Sequence, residues 1–446
     1  MKLFVTIAEA TPDAAIEAIH GLRLDHDGVE IRVERFDAYD PAALRAATNK
    51  PLIITRRGAA QSAAEVQRAL AAGADLVDVE FGEHLEWIEP YRDRIVLSHH
   101  DFEGMPDVAR ILTAMRSLRC AHTKLAVSPQ TLRENLVLLA QQQAGTTLIG
   151  MGERGLYARI LAPFLGSELA FVSPRSDRAA APGQITLDRA LAIYGPHRDT
   201  LQAEHVFAVA GNPAGHSVSP VIHNDLFRQK GVPAAYTIAS VAWFDEIASA
   251  LLDGTLTGVS VTAPFKEEAF AFAERHGAVI GENARECGAV NTLVNGPQGL
   301  IADNTDVDGF TRILARLCGR DRKTVAVVGA GGTARAALVA LERAGMRAII
   351  YNRTESRGLA LAAATGYSFE PLAALPDFDG EIIINTITGS EAVPLPLKPG
   401  MTCIETAYGY DRGERAPGVE WIDGLELLHA QAVRQHEIFM KVFDGS

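Results

Sequence analysis

The sequence predicts an α/β protein in two parts: an N-terminal (β/α)8 barrel over residues 1–200, then a two-domain α/β fold whose later domain is wound around a glycine turn. Three observations predict it. Eight short apolar, β-branched runs alternate with helix-like segments in the first 200 residues. Near residues 196–205, "PHRDTLQAEH" breaks that alternation and a new strand, "VFAVAG", begins. From Thr324, "TVAVVGAGGTARAALVAL" reads as an apolar strand, a glycine turn and a helix of small residues.

The eight runs are, in order, "KLFVTIA", "GVEIRVE", "PLIITR", "DLVDVEF", "RIVLSHH", "HTKLAV", "TTLIGM" and "ELAFVS". Between them, segments such as "SAAEVQRALAAGA", "MPDVARILTAMRSLR" and "SPQTLRENLVLLAQQQAG" have helical apolar spacing and open on Ser, Pro or Asp. Eight such units in so short a length point to a compact barrel, whose active site forms at the carboxyl ends of the strands.

Composition narrows the function. A chain of 446 residues exceeds one compact core and suits two or three domains. A net charge of -13 argues against non-specific nucleic-acid binding, which rewards clustered Lys and Arg, and points to small-molecule partners. Cys120, Cys287, Cys318 and Cys403 lie far apart with no CxxC pair, so neither a disulfide frame nor a metal site is expected. The opening "MKLFVTIAEATPD" reaches acidic and proline positions before any long apolar stretch, and no later run is long enough to span a bilayer. A cytoplasmic protein without membrane association is expected. Oligomeric state is not set by the sequence.

Strand parity locates candidate chemistry, because successive side chains point to opposite faces. In "VEIRVE", Val29, Ile31 and Val33 take one face and Glu30, Arg32 and Glu34 the other. In "VDVEF", Asp78 and Glu80 oppose the apolar residues. The apolar set packs against the helices, which turns the charges into the barrel. By the same parity Lys124 shares the inward face with His122, and Ser98 with His100. Buried charges are costly unless they pair or meet a ligand, so the choice lies between a structural charge network and a polar substrate pocket. Lysine is scarce in this chain and arginine common. A pocket lysine near Arg32 and Arg56 would have its pKa lowered, and its amine could then attack a ketone to form a Schiff base, which arginine cannot do.

The stretches "SHHDF" (98–102), "HTKLAV" (122–127), "MGERGLYAR" (151–159) and "APGQI" (181–185) together resemble type I 3-dehydroquinate dehydratase, in the family's order and across most of residues 1–200. The resemblance implies that Lys124 forms an imine with the C3 ketone of 3-dehydroquinate. It implies that His100 removes the C2 proton and helps the C1 hydroxyl leave, with His99 a neighbour. Thr6, where the family usually has a serine, Glu30, Arg32, Arg56, Arg159 and Gln184 would hold the substrate. Two departures stand out: after "TR" the family has a Glu-Gly-Gly turn whose glutamate orients the histidine, whereas Ala60 stands about there, and Ala180 replaces a serine before "APGQ". Another carboxylate, such as Glu80, would have to take the orienting role for full activity.

In the second half, Gly329, Gly331 and Ala334 give a GxGxxA spacing that lets backbone N–H groups approach a pyrophosphate at a helix N-terminus. The strand "RAIIYNR" then leads into "NRTESR", where Arg353 and Arg357 suit a 2'-phosphate, so NADP rather than NAD is expected; two solvated arginines are the alternative. Upstream, "GNPAGHSVSPVIHN", "GVSVTAPFK", "GAVNTL" and "DNTDVDG" bring Ser217, Ser219, Lys266, Asn291 and Asp306 to strand and loop ends. A lysine beside an aspartate suits proton transfer during hydride movement, with a surface ion pair as the alternative.

These motifs, followed by the glycine turn, resemble shikimate dehydrogenase across nearly all of residues 205–446. By resemblance Lys266 and Asp306 form the catalytic pair, and Ser217, Ser219, Thr262, Asn291, Tyr408 and Gln431 bind substrate. Gly329, Ala330, Gly331, Gly332 and Thr333, with Asn352, Arg353, Thr354 and Arg357, would bind NADP, and Gly424 would approach the nicotinamide. The implied division is a substrate domain over 205–305, completed by 425–446, and a Rossmann domain over 306–424. Ser260 replaces an asparagine common in the family, and "ETAYGYDRGE" lacks the usual aspartate and proline around Tyr408.

The product expected of the first half, 3-dehydroshikimate, is the substrate expected of the second, and shikimate its product. The whole chain therefore resembles the bifunctional dehydroquinate dehydratase–shikimate dehydrogenases. Three other readings remain open on sequence: a barrel kept as a scaffold, a barrel acting as a Schiff-base aldolase, and a second half using quinate with NAD.

Overall fold

The computed structural model of the protein describes residues 1–58, 62–317, 324–387, 393–408 and 415–443. By packing they divide into two compact units, one of Met1–Val206 with Pro220–Val241, the other of Phe207–Ser219 with the residues from Ala242 onward.

The first unit is built on eight parallel strands: β1 (Lys2–Ile7), β2 (Gly28–Arg32), β3 (Leu52–Thr55), β4 (Leu76–Glu80), β5 (Ile95–His100), β6 (His122–Val127), β7 (Thr146–Gly150) and β8 (Leu169–Val172). They stand in chain order with β8 beside β1, so the ring is closed except for a ladder between β7 and β8 among the described residues. The helices between them start where capping chemistry dictates. Ser62 and Thr131 each form a capping box with the glutamate three residues on, and Thr11 caps a helix that opens with Pro12. Each cap satisfies backbone N–H groups that the first helical turn leaves without partners.

Inside the ring, Phe4, Ile53, Val96, Leu169 and Phe171 form an apolar cluster. Val29 and Ile31 are wholly buried on the opposite face of β2 from Glu30, as the alternation of that strand requires. The register pairs Thr6 with Glu30, Arg32 with Thr55, Thr55 with Asp78, Glu80 with Ser98 and Ser98 with Lys124. Polar side chains from six neighbouring strands are thereby brought to one level at the carboxyl end of the barrel.

The second unit holds two sheets. In chain order the strands from the domain break are β9 (His205–Gly211), β10 (Ala234–Ser240), β11 (Gly258–Val261), β12 (Val279–Ile280), β13 (Thr292–Gly296) and β14 (Gly299–Asp303). Strand β10 clusters with the first unit, while β9, β11, β13, β14 and β12 lie side by side in that order with mixed directions. The last sheet comprises β15 (Thr324–Val328), β16 (Arg347–Asn352), β17 (Ser368–Pro371), β18 (Ile382–Asn385), β19 (Thr402–Glu405) and β20 (Glu420–Ile422). All its pairs are parallel and its order is β17-β16-β15-β18-β19-β20. The chain reverses direction of growth between β15 and β18, which is where such sheets open a ligand crevice.

The C-terminal helix Gly424–Met440, capped by Asp423 on Glu426, packs along helix Asp306–Leu317 and against β13. It thus returns to the mixed sheet after the parallel sheet is complete. No helix among the described residues is long and apolar enough to cross a membrane.

Candidate active sites

Two cavities collect the chemistry. The first, of about 290 Å³, opens at the carboxyl end of the barrel and is lined by Thr6, Glu30, Arg32, His100, Lys124, Arg159 and Gln184, all named from the sequence. Lys124 is 4% exposed; its Nζ donates to Asp78 Oδ2 at 2.9 Å and to Glu30 Oε1 at 3.4 Å, and lies 3.9 Å from the centre of the Phe171 ring. Glu30 also accepts from Thr6 Oγ1 at 2.7 Å and Thr55 Oγ1 at 2.9 Å, and Gln184 Nε2 donates to Thr6 Oγ1 at 3.1 Å. Burial opposes the charges on Glu30 and Asp78, yet the cations around them prevail. Lys124 and Arg32 hold the Glu30 carboxyl below its ordinary value, and Arg57 with Lys124 holds Asp78 well below the usual carboxylate range.

Arg57 was not among the residues expected to hold substrate; Arg56 was. Arg56 Nε instead faces Glu65 at 3.5 Å and lies outside the cavity lining, whereas Arg57 lines it. Arg57 donates from Nη1 to Glu80 Oε2 and Ser98 Oγ, both at 2.7 Å, and from Nη2 to Asp78 Oδ2 at 2.9 Å. The signal was present in the strand parity: Thr55 points inward at Glu30, so the inward arginine is two residues on. Glu80 receives His100 twice, from the backbone N at 2.9 Å and at ring Nδ1 at 2.9 Å. Burial pushes the His100 imidazole below its ordinary value in spite of that carboxylate. Ala180 lines the cavity and its N–H donates to Gln184 Oε1 at 2.8 Å. Ala60 lies outside the described residues.

Arg159 stands out by its partners. It is 8% exposed, among the described residues donates only to the carbonyl oxygens of Gly150 at 2.9 Å and Pro182 at 3.3 Å, and burial pushes it down to about 10. A guanidinium with carbonyl partners and, among the described residues, no paired carboxylate, at a cavity wall, is a ready receptor for a ligand carboxylate.

The second cavity, of about 130 Å³, is lined by Ser217, Ser219, Thr262, Lys266, Asn291, Asp306, Thr333, Tyr408, Gly424 and Gln431, again as named from the sequence. Lys266, at the start of helix Lys266–Arg275, donates to Asp306 Oδ2 at 2.5 Å and to Thr333 Oγ1 at 3.0 Å. Asn291 Nδ2 donates to the other Asp306 oxygen at 2.9 Å. Thr305 Oγ1 donates to Gln431 Oε1 at 2.6 Å, which ties the C-terminal helix to the floor of this site. Ser260 and Gln435 also line it, joined at 2.7 Å from Ser260 Oγ to Gln435 Oε1. Gln435 escaped the sequence reading, although it lies one helical turn beyond Gln431 and so on the same face.

The glycine turn sits beside this cavity. Gly329 has φ +116°, and a Cβ there would come within 2.3 Å of Thr386 Oγ1; a Cβ on Gly332 would come within 2.8 Å of the Lys266 side chain. At Gly331 a Cβ would meet nothing within 4 Å, and helix Gly332–Arg343 begins there with no side-chain cap. The first turn of that helix, with Ala330 and Thr333 alongside, thus has no side-chain cap from its N-cap residue. Asn352 Nδ2 donates to the Thr354 carbonyl at 2.8 Å, and Arg353, Thr354 and Arg357 are exposed beyond the end of β16.

A barrel with a buried lysine and a parallel nucleotide sheet with a lysine–aspartate pair define a two-centre enzyme, a lyase followed by an oxidoreductase. Comparison with known proteins agrees. The family model for type I 3-dehydroquinase matches residues 3–198, and that for the shikimate dehydrogenase substrate binding domain matches residues 209–293. The chloroplastic bifunctional 3-dehydroquinate dehydratase/shikimate dehydrogenase of Arabidopsis thaliana is 28% identical over 493 aligned residues, covering 97% of this chain and 81% of that one. The shikimate biosynthesis protein AroDE of Chlamydia pneumoniae is 28% identical over 78% of this chain and 74% of its own. The shikimate dehydrogenase (NADP(+)) of Methylobacterium radiotolerans is 35% identical over 50% of this chain and 87% of its own. The chain belongs to the type I 3-dehydroquinase and shikimate dehydrogenase families, joined in one polypeptide.

Proposed function

We propose that the barrel dehydrates 3-dehydroquinate to 3-dehydroshikimate through an imine on Lys124, and that the second unit reduces 3-dehydroshikimate to shikimate with NADPH. The observation that carries the reading is the barrel cavity itself, where Lys124 and His100 share one wall system with the carboxylate-seeking Arg159. The family membership of both halves supports it. The proposed domains are the barrel over 1–200, a substrate domain over 205–305 completed by 425–446, and a Rossmann domain over 306–424.

In the barrel, Asp78 and Glu30 hold the Lys124 nitrogen in place until the substrate enters. Attack requires the neutral amine, so a proton leaves Lys124 first. The amine then adds to the C3 ketone and water departs, forming an imine that withdraws electrons from C2. Neutral His100 takes the C2 proton and returns it to the C1 hydroxyl, which leaves as water. Hydrolysis of the imine frees 3-dehydroshikimate and restores Lys124. Arg159 holds the carboxylate throughout, with Thr6, Glu30, Arg32 and Gln184 toward the hydroxyls.

In the second unit, the uncapped helix start and the glycine turn fit a dinucleotide. Gly329 to Thr333 would hold its pyrophosphate, Asn352 to Arg357 the adenosine 2'-phosphate, and Gly424 would lie by the nicotinamide. NADPH bound there supplies the hydride. Ser217, Ser219, Thr262, Asn291, Tyr408 and Gln431 orient the substrate. Lys266 gives a proton to the oxygen of the ketone under reduction, and Asp306 aims and recharges it.

The test is consumption of NADPH by the full chain supplied with 3-dehydroquinate alone. Lys124→Ala should abolish that response and keep the response to 3-dehydroshikimate, while Lys266→Ala should lose both. Preference for NAD, or for quinate over shikimate in the reverse direction, would overturn the assignment of the second centre.

A further inference from the structure

In the second unit the start of helix Lys266–Arg275 rests on the first turn of helix Gly332–Arg343, the helix that follows the glycine turn. The stem of Lys266 lies over Gly332, where a Cβ would come within 2.8 Å of Lys266 Cβ and 3.0 Å of its Cδ. Its Nζ donates to Thr333 Oγ1 at 3.0 Å as well as to Asp306 Oδ2 at 2.5 Å. The residue after Lys266 repeats the contact: Glu267 Oε1 faces Arg335 Nε across 3.8 Å. The lysine side chain is 12% exposed, so these neighbours and the cavity account for nearly all its surroundings.

We propose that Thr333 is a positioning residue of Lys266: its hydroxyl, with Asp306, fixes the rotation of the ammonium so that the remaining N–H is the one that meets the substrate oxygen. This rests on the proposed role of Lys266. An ammonium on a flexible stem carries three N–H donors and no acceptor. With Asp306 as its only partner it would turn about the Cε–Nζ bond, and neither of the other donors would be aimed. A second acceptor on a different helix stops that rotation and leaves one N–H for the cavity. When that proton passes to the oxygen of the ketone under reduction, the amine keeps its N–H bonds to Asp306 and Thr333, and the lone pair left behind faces the substrate. In the reverse direction the same lone pair takes the hydroxyl proton. Thr333 thus serves two ends: its backbone belongs to the turn that fits a pyrophosphate, and its side chain holds the proton donor. Anything that shifts this turn shifts an acceptor of Lys266.

The test follows oxidation of shikimate by NADP in the full chain, with the Kd for NADP taken from titration calorimetry on the protein without substrate. Thr333→Val and Thr333→Ala both remove the hydroxyl, the first at nearly constant volume and the second without added bulk. In each, kcat should fall about 10- to 100-fold, the effect of losing a hydrogen bond to a charged group that must be aimed. The KM for shikimate and the Kd for NADP should stay close to those of the parent, which also shows that the unit is folded. Thr333→Ser restores the hydroxyl and should recover most of kcat. A kcat within about threefold of the parent in both hydroxyl-free variants would overturn the proposal, because that is less than such a bond contributes. So would a Kd for NADP that rises as far as kcat falls, which would give the hydroxyl to the cofactor, or a Thr333→Ser protein no faster than Thr333→Ala. If Lys266→Ala itself kept the parent rate, the reading of Lys266 on which the proposal stands would fall instead.

Discussion

Lys266 Nζ stands 2.5 Å from Asp306 Oδ2 and 3.0 Å from Thr333 Oγ1, so a single ammonium joins the substrate side of the second centre to the first turn of the nucleotide helix. Replacing Lys266 by Met removes the proton donor and that tie together. Shikimate-dependent reduction of NADP should fall by about two to four orders of magnitude, as for loss of a general acid. Asp306→Asn should cost less, since Thr333 Oγ1 still accepts from the amine. Both variants should keep the dehydratase rate, measured on 3-dehydroquinate by the rise of product absorbance.

Arg159→Met tests the carboxylate receptor of the barrel. A charge-assisted pair of this kind contributes about 2–3 kcal/mol, so the KM for 3-dehydroquinate should rise by roughly 30- to 150-fold. The kcat should change less. Because burial brings the guanidinium down to about 10, its charge persists through neutral pH and is lost only above that value. Affinity in the parent should therefore hold through neutral pH and weaken in strong alkali, and the variant should lack that alkaline limb.

Gly329→Ala tests the nucleotide turn. At φ +116° with a Cβ 2.3 Å from Thr386 Oγ1, the substitution is both strained and crowded. A loss of about 1–3 kcal/mol in unfolding free energy is expected, together with a higher KM for NADP. Gly332→Ala should act differently: its Cβ would press on Lys266, so kcat should fall as well.

Acid should loosen the barrel through Glu30 and Asp78. Both carboxyls sit below their ordinary values, 4.5 and 3.8, in the folded protein. Groups depressed in this way stabilise the fold above the unfolded values and lose that contribution as pH falls through the folded ones. Denaturant midpoints should thus decline below about pH 4.5. Asp78→Asn takes from Lys124 and Arg57 the carboxylate they share, leaving Glu30 to the one and Glu80 to the other, and about 3 kcal/mol of stability should be lost at neutral pH. Its acid slope should be shallower than that of the parent.

Much of this was legible in the sequence because the signals were periodic or punctuated. The alternation of "VEIRVE" and "VDVEF" put Glu30, Asp78 and Glu80 inside the barrel, and the glycine spacing after β15 marked the nucleotide turn. Arg56 and Arg57 show where such reading fails. They are chemically identical neighbours just past the end of a strand, and only the direction of Thr55 decides which one turns inward. Gln435 and the Ser260 contact were hidden for another reason: they meet across 175 residues, and helical phase alone does not say which strand the helix covers. Glu80 was named from the sequence as a carboxylate that could orient His100, but the contact itself depends on the register between β4 and β5, which no local pattern specifies.

The most direct measurement is borohydride reduction of the full chain in the presence of 3-dehydroquinate, followed by peptide mass spectrometry. The account predicts a stable substrate adduct on the peptide carrying Lys124, absent without ketone and absent in Lys124→Ala. An unmodified Lys124 in a protein that still turns over 3-dehydroquinate would contradict it.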